Sequence, residues 1–99
     1  MKITRHAIDR ATSRHGLAGG RAAAALRAAV RDGIRVPASW LRHLGQTAHT
    51  ARAVREGSRI LVHGSTVVVV RSGRVVTTWR LSDDALVDLL VRVAWGFWP

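Results

Sequence analysis

Cysteine is absent from this chain, and the acidic residues number only six in 99. The first absence excludes a disulfide framework and a thiolate metal site, and it fits a reducing, cytoplasmic compartment. The second leaves too few carboxylates for a paired-carboxylate hydrolase. Five histidines are present, but His15, His43, His49 and His63 have no metal-type spacing, so no metal or other cofactor is expected. Long apolar runs are missing as well. No segment approaches the roughly 20 residues of a membrane helix, and the amino terminus lacks the apolar core of a signal peptide. No glycine-rich phosphate loop is present either, because Gly16, Gly19 and Gly20 do not follow a strand. Internal repeats and linkers are also lacking, so residues 1–99 read as one domain near the lower size range for independent folding.

The shortage of acid sits beside sixteen basic residues, giving a net charge of +10, and all but Lys2 of these are arginine. The imbalance is uneven: residues 1–80 carry fifteen basic and three acidic side chains, whereas residues 81–99 carry Arg92 against Asp83, Asp84 and Asp88. Arginine's planar fork suits bidentate contact with phosphate, and a basic field speeds encounter with polyanions. A GC-rich coding bias accounts for arginine over lysine but not for the lack of acid. The partners this points to are nucleic acid, RNA above all, or an acidic protein. The hydrophobic fraction of 47% is that of a globular chain rather than a disordered basic tail.

The central stretch, residues 59–81, reads as a three-stranded antiparallel meander. Strands are expected at 59–63, 66–71 and 74–81, joined by two-residue turns at Gly64-Ser65 and Ser72-Gly73; the run Val67 to Val70 has no helical period. Strict alternation from those turns puts Ile60, Val62, Val67, Val69 and Val76 on one face, the better core face, with Thr78 and Arg80 at one end and Arg71 and Arg74 at the other. It puts Arg59, Leu61, His63, Thr66, Val68, Val70, Val75, Thr77 and Trp79 on the other, with His63, Thr66, Thr77 and Trp79 gathered at one end as a half-polar face open to use or to solvent.

Around the meander, residues 3–15 read as a first helix that Thr4 can cap. His6 and Arg10 share a face, and Arg14 extends the stripe. Residues 21–32 form an alanine-rich second helix whose small side chains suit close packing on the sheet's apolar face. Residues 34–36 read as a short extended piece. A turn of helix over 37–44 buries Trp40, Leu41 and Leu44, and a loop follows over 45–57. Ser82 caps a last helix with Asp83 and Asp84 in its first turn, where the dipole favours them. Leu86, Leu89, Leu90 and Val93 form its inner stripe, and the apolar tail over 94–99 acts as core cover or as a self-association patch. The fold class expected is α+β: two N-terminal helices packed on an antiparallel sheet of three to four strands, closed by a C-terminal helix.

Two constellations carry chemistry. An imidazole that titrates near neutrality stands one helical turn from a fixed guanidinium at His6 and Arg10, so both can address one phosphodiester. Thr77, Trp79 and His63 share the mixed face, where a base could stack on the indole. Each has a plainer reading, a solvated helix face for the pair and a core filler for Trp79.

Together, Ile3-Thr4-Arg5-His6-Ala7-Ile8-Asp9-Arg10 on the first helix and Val76-Thr77-Thr78-Trp79 on the last strand resemble the small metal-independent ribonuclease toxins of the barnase–EndoU–colicin–RelE-like fold. That group includes contact-dependent inhibition toxin domains and phage- and plasmid-borne relatives. The resemblance implies His6 for proton transfer, Arg10 as phosphate clamp and Thr77 as hydrogen-bond donor to the scissile phosphate. Substrate-binding roles then fall to Arg14, His63, Trp79 and Arg80. The chain departs from the pattern in having no lysine near the site and an apolar extension from Ser82.

The function expected is that of a toxin or effector cleaving RNA (tRNA or mRNA) by 2′-hydroxyl transesterification, without metal, and held in check by an acidic antitoxin or immunity protein. The alternatives are a non-catalytic RNA- or DNA-binding domain and a phage- or plasmid-encoded module that inhibits a host protein. The C-terminal apolar helix suggests a homodimer, and no membrane association is expected.

Overall fold

The computed structural model describes residues 2–17, 19–36 and 57–95. The helix expected over 37–44, most of the loop after it, and the last four residues of the tail lie outside that set.

The meander forms as its turns dictate. Strand β3 (Arg59–His63), strand β4 (Thr66–Arg71) and strand β5 (Arg74–Arg80) pair antiparallel in sequence order. Gly64 has φ +60°, and Ser72 and Gly73 have φ +51° and +73°. Two successive positive φ values match the right-handed twist of a tight hairpin, and Ser72 adopts the first of them without being glycine. Two short strands extend the sheet to five. Strand β1 (Lys2–Ile3) adds parallel to β5, and strand β2 (Ile34–Arg35) adds antiparallel to β3, giving the order β1-β5-β4-β3-β2. The first helix is therefore shorter than the sequence suggests. Lys2 and Ile3 pair their backbones with Arg74 and Val75, and helix α1 runs only over Arg5–His15.

Thr4 joins the two elements. Its Oγ1 accepts from the Ala7 N–H at 3.2 Å, capping α1, while its hydroxyl donates to the Val75 carbonyl at 3.0 Å. Its own N–H donates to that same carbonyl at 3.1 Å. Gly16, at φ +65°, ends the helix. Helix α2 spans Gly19–Asp32, and helix α3 spans Asp83–Ala94 with the Ser82 hydroxyl accepting from Ala85 N–H.

Both faces of the sheet are covered. Helices α1 and α2 lay Ala7, Ala11, Ala22, Leu26 and Ala29 on Leu61, Val68, Val70 and Val75. Helix α3 places Leu89, with Ala85 and Leu86, over the side bearing Ile60, Val62, Val67, Val69 and Trp79. The expectation that α2 covers the Ile60 face and leaves the other half-solvated is thus reversed. Small side chains let two helices approach the Val68–Val70 side closely, and burial of a methyl-rich surface favours that contact by roughly 25 cal/mol per Å².

The register supplies the second reason. Arg71 opposes Arg74 and Val70 opposes Val75, yet Val69 opposes Thr77, so β5 carries one extra residue. Such a bulge inverts the facing of every side chain beyond it. Thr78 moves to the α1–α2 side, fully buried, and donates to the Val67 carbonyl at 2.6 Å. Thr77 and Trp79 move to the α3 side.

Candidate functional site

On α1, Ala7 and Ala11 are fully buried against the sheet, which turns His6 outward. Arg10 and Arg14 follow at one-turn intervals and are half-buried along the helix flank. Spacing of four residues keeps the three on one stripe. The first turn of α1 contains no acid, so the positive end of its dipole adds to the field of Arg5 and Arg10. The helix lies chiefly on β5, and its start is fixed there by Thr4.

Of the strand residues expected to meet this stripe, two stand elsewhere. The bulge puts Thr77 beside Val69, on the side that α3 covers, and leaves it half-buried. Trp79 opposes Val67 on that same side and is 2% exposed, packed among Ile60, Val62, Val67 and Leu89. Its indole is a core ring, and no base can stack on it. The sheet itself separates Thr77 and Trp79 from His6 and Arg10.

His63 keeps its expected facing but changes company. It ends β3 opposite Thr66, which opposes Arg80, so His63, Thr66 and Arg80 form one row across three strands on the α1–α2 side. His63 and Arg80 are exposed and Thr66 is half-buried. His63 also lies within electrostatic reach of Asp32 at the end of α2. A hydrogen bond from Arg31 chiefly holds the Asp32 carboxyl below its ordinary range, and the charges of Arg31 and His63 add to that effect, while burial opposes it. The basic stripe of α1 and the His63–Thr66–Arg80 row are two patches of one side of the sheet. Among the described residues no group of three His, Asp or Glu side chains is arranged to hold a metal ion.

Strict alternation misplaced Thr77 and Trp79 because a bulge leaves no compositional mark in a run of Val and Thr. A physical hint existed in the tryptophan. A large ring on the strand leading into an apolar C-terminal helix gains most by facing that helix.

Among the described residues, helix α3 is what covers the opposite side of the sheet, and it does so unevenly. A cavity of about 220 Å³, lined by Ile34, Val62, Leu86, Leu89 and Leu90, lies between α3 and the β2–β3 half. The helix therefore sits over that half. Toward β1 and β5, Val76 and Thr77 are half-buried and Arg71, Arg74 and Lys2 are exposed. No family model, curated protein or solved structure matches this chain.

Proposed function

We propose that this chain is a basic RNA-binding domain of the effector kind, engaging the phosphate backbone through its arginine-bearing surfaces. The observation that carries this reading is charge segregation. The exposed or half-buried cations of α1 and the hairpin ends stand apart from the acids of α3, where Asp88 is already paired with Arg92 at 3.2 Å. A polyanion arriving at the basic end meets little acid to repel it. Wild-type protein is expected to bind RNA with an affinity that falls steeply with salt, since each neutralised phosphate releases counterions. Binding that is absent, or indifferent to salt, overturns the reading.

A second reading, metal-independent cleavage, is favoured by the exposure of His6 one turn from Arg10. Neutral His6 would take the 2′-hydroxyl proton as the 2′-oxygen bonds to phosphorus. The bond from phosphorus to the 5′-oxygen would break, and the imidazolium would return the proton to that leaving oxygen. Arg10 would stabilise the charge on the non-bridging oxygens, leaving a 2′,3′-cyclic phosphate. Thr77 has no part in this version, because the sheet stands between it and His6. Incubation with total RNA and tRNA in EDTA, with end mapping, separates the readings. Cleavage predicts cyclic ends whose formation drops by roughly 10²-fold or more in His6→Ala, with binding almost unchanged. A pure binder yields intact RNA from both proteins.

The same cationic surfaces suit an acidic antitoxin or immunity protein, and they would then be blocked by it. The apolar residues exposed on α3, among them Val87, Leu90 and Val91, and Trp95 just after it, favour protein contact there instead, either a homodimer or a host protein.

A further inference from the structure

Helix α3 is apolar on both of its sides. Ala85, Leu86 and Leu89 pack toward the sheet. Val87, Leu90, Val91 and Ala94 recur at spacings of three and four residues and are exposed, and Trp95 follows directly after them. Val87 and Leu90 are 59% and 58% exposed, and Trp95 is 76% exposed. A helix that is apolar all round belongs in a buried setting, and an apolar stripe on a surface marks a protein contact. Spacings of three and four are also the seam of paired helices, in which side chains of one enter gaps on the other.

Charge selects the occupant. Residues 1–80 carry fifteen basic and three acidic side chains, whereas residues 81–99 carry one basic and three acidic. Two copies of this chain, each at +10, repel one another wherever their basic parts meet. That repulsion is least at α3, where Asp83 and Asp84 are exposed in the first turn. An acidic protein meets the opposite field: it is drawn to the arginines and turned away from this helix. Charge also selects the direction. Parallel helices would set Asp83 and Asp84 against the same carboxylates of the second copy. Antiparallel helices set them beside its last turn, which carries Arg92, and they align the two helix dipoles favourably.

We propose that the outer side of α3 is the interface of a two-fold homodimer, in which the α3 helices of two copies pack antiparallel. The proposal rests on the reading of α3 as a protein contact and names the partner; it does not depend on RNA binding. Val87 of each copy packs against Leu90 and Val91 of the other, and the two Leu90 side chains meet near the axis. A contact of this kind uses the same patch on both copies, so association stops at two. One helix of 12 residues makes a small interface, and the dimer is reversible in the micromolar range. Helices α1 and α2 lie on the other side of the sheet, so the dimer keeps two His6–Arg10 stripes outside the interface.

Sedimentation equilibrium of the full chain, from the low to the high micromolar range, tests this. Monomer is expected to give way to dimer, with nothing larger. Val87→Glu places a carboxylate against apolar side chains at two symmetric positions, and it is expected to weaken association by roughly tenfold or more. At dilute concentration its Tm should match that of the wild type, as exposed substitutions do. The chain has no cysteine, so single cysteines report the direction. Leu90→Cys, near the axis, is expected to form a disulfide-linked dimer on mild oxidation, and Ala94→Cys is not. In the antiparallel pair the two residues at position 94 stand about 15 Å apart along the helices, beyond the roughly 7 Å that a disulfide allows between Cα atoms. Ala94→Cys that links as readily as Leu90→Cys overturns the antiparallel pair. A dimer that Val87→Glu leaves intact overturns both the α3 interface and the reading of α3 as the contact side. A chain that stays monomeric throughout overturns the second copy as partner and leaves α3 to a host protein.

Discussion

Thr4 does more for the candidate site than any residue in it. One hydroxyl accepts from the Ala7 N–H and donates to the Val75 carbonyl, so a single side chain begins α1 and pins that beginning to β5. His6 and Arg10 owe their place on the surface to that anchorage. Loss of an N-cap costs about 1 kcal/mol, and loss of the second hydrogen bond about as much again. Thr4→Ala is therefore expected to destabilise the protein by roughly 2 kcal/mol, with Thr4→Ser restoring most of it. Urea denaturation checks this: the midpoint should fall in Thr4→Ala with the slope unchanged, since no extra surface is exposed. A midpoint that does not move would mean that the helix start is held by packing alone. The capping role was legible in the sequence, where a threonine precedes a helical pattern. The tie to Val75 was not, because it depends on a parallel strand two residues long.

Elements show where reading from sequence succeeds and where it stops. Three strands and both hairpin turns could be read directly, because the turn residues and the alternation act within a few positions of each other. The α2 and α3 helices could be read for the same reason. The facing of β5 could not, because one bulged residue near Val75 and Val76 inverts everything after it, and Val and Thr are equally at home on either side. The assignment of helices to faces failed with it. Two apolar faces of similar character, Ile60–Val62–Val67–Val69 and Leu61–Val68–Val70–Val75, leave composition no way to decide which helix goes where. The geometry now gives α3 a specific duty as the cover of the Ile60 face, carried by Leu89 at 7% exposure, while Val87 is 59% exposed. Leu89→Ala is expected to cost about 2–4 kcal/mol through lost burial and a residual cavity. Val87→Ala should stay within about 0.5 kcal/mol, as exposed substitutions do. Chemical denaturation of the two variants side by side measures the difference. Equal effects would remove α3 from the core.

At the scale of the whole molecule, charge opposes the fold that carries it. A net charge of +10 is held on a body with principal extents of 36 × 27 × 23 Å. In about 0.01 M salt the screening length is about 30 Å, so most cations feel one another across the protein; at about 0.15 M it falls to about 8 Å and only neighbours interact. Arg31–Asp32 is an exposed ion pair, and Arg92–Asp88 is turn-spaced on α3; pairs of that kind stabilise by less than about 1 kcal/mol. With sixteen basic residues against six acidic ones, like-charge pairs outnumber opposite ones, and adding sodium chloride should raise Tm across this range by relieving their repulsion. RNA affinity should move the other way, because the cations that repel one another in the free protein are those that release counterions from phosphate. The two measurements, melting in the absence of RNA and anisotropy in its presence, belong on one salt series. Opposite slopes are the expected result. A Tm that falls with salt would show that attractive pairs dominate the fold, and the arginine surface would then be a stabilising network instead of a charge reserve kept for a polyanion.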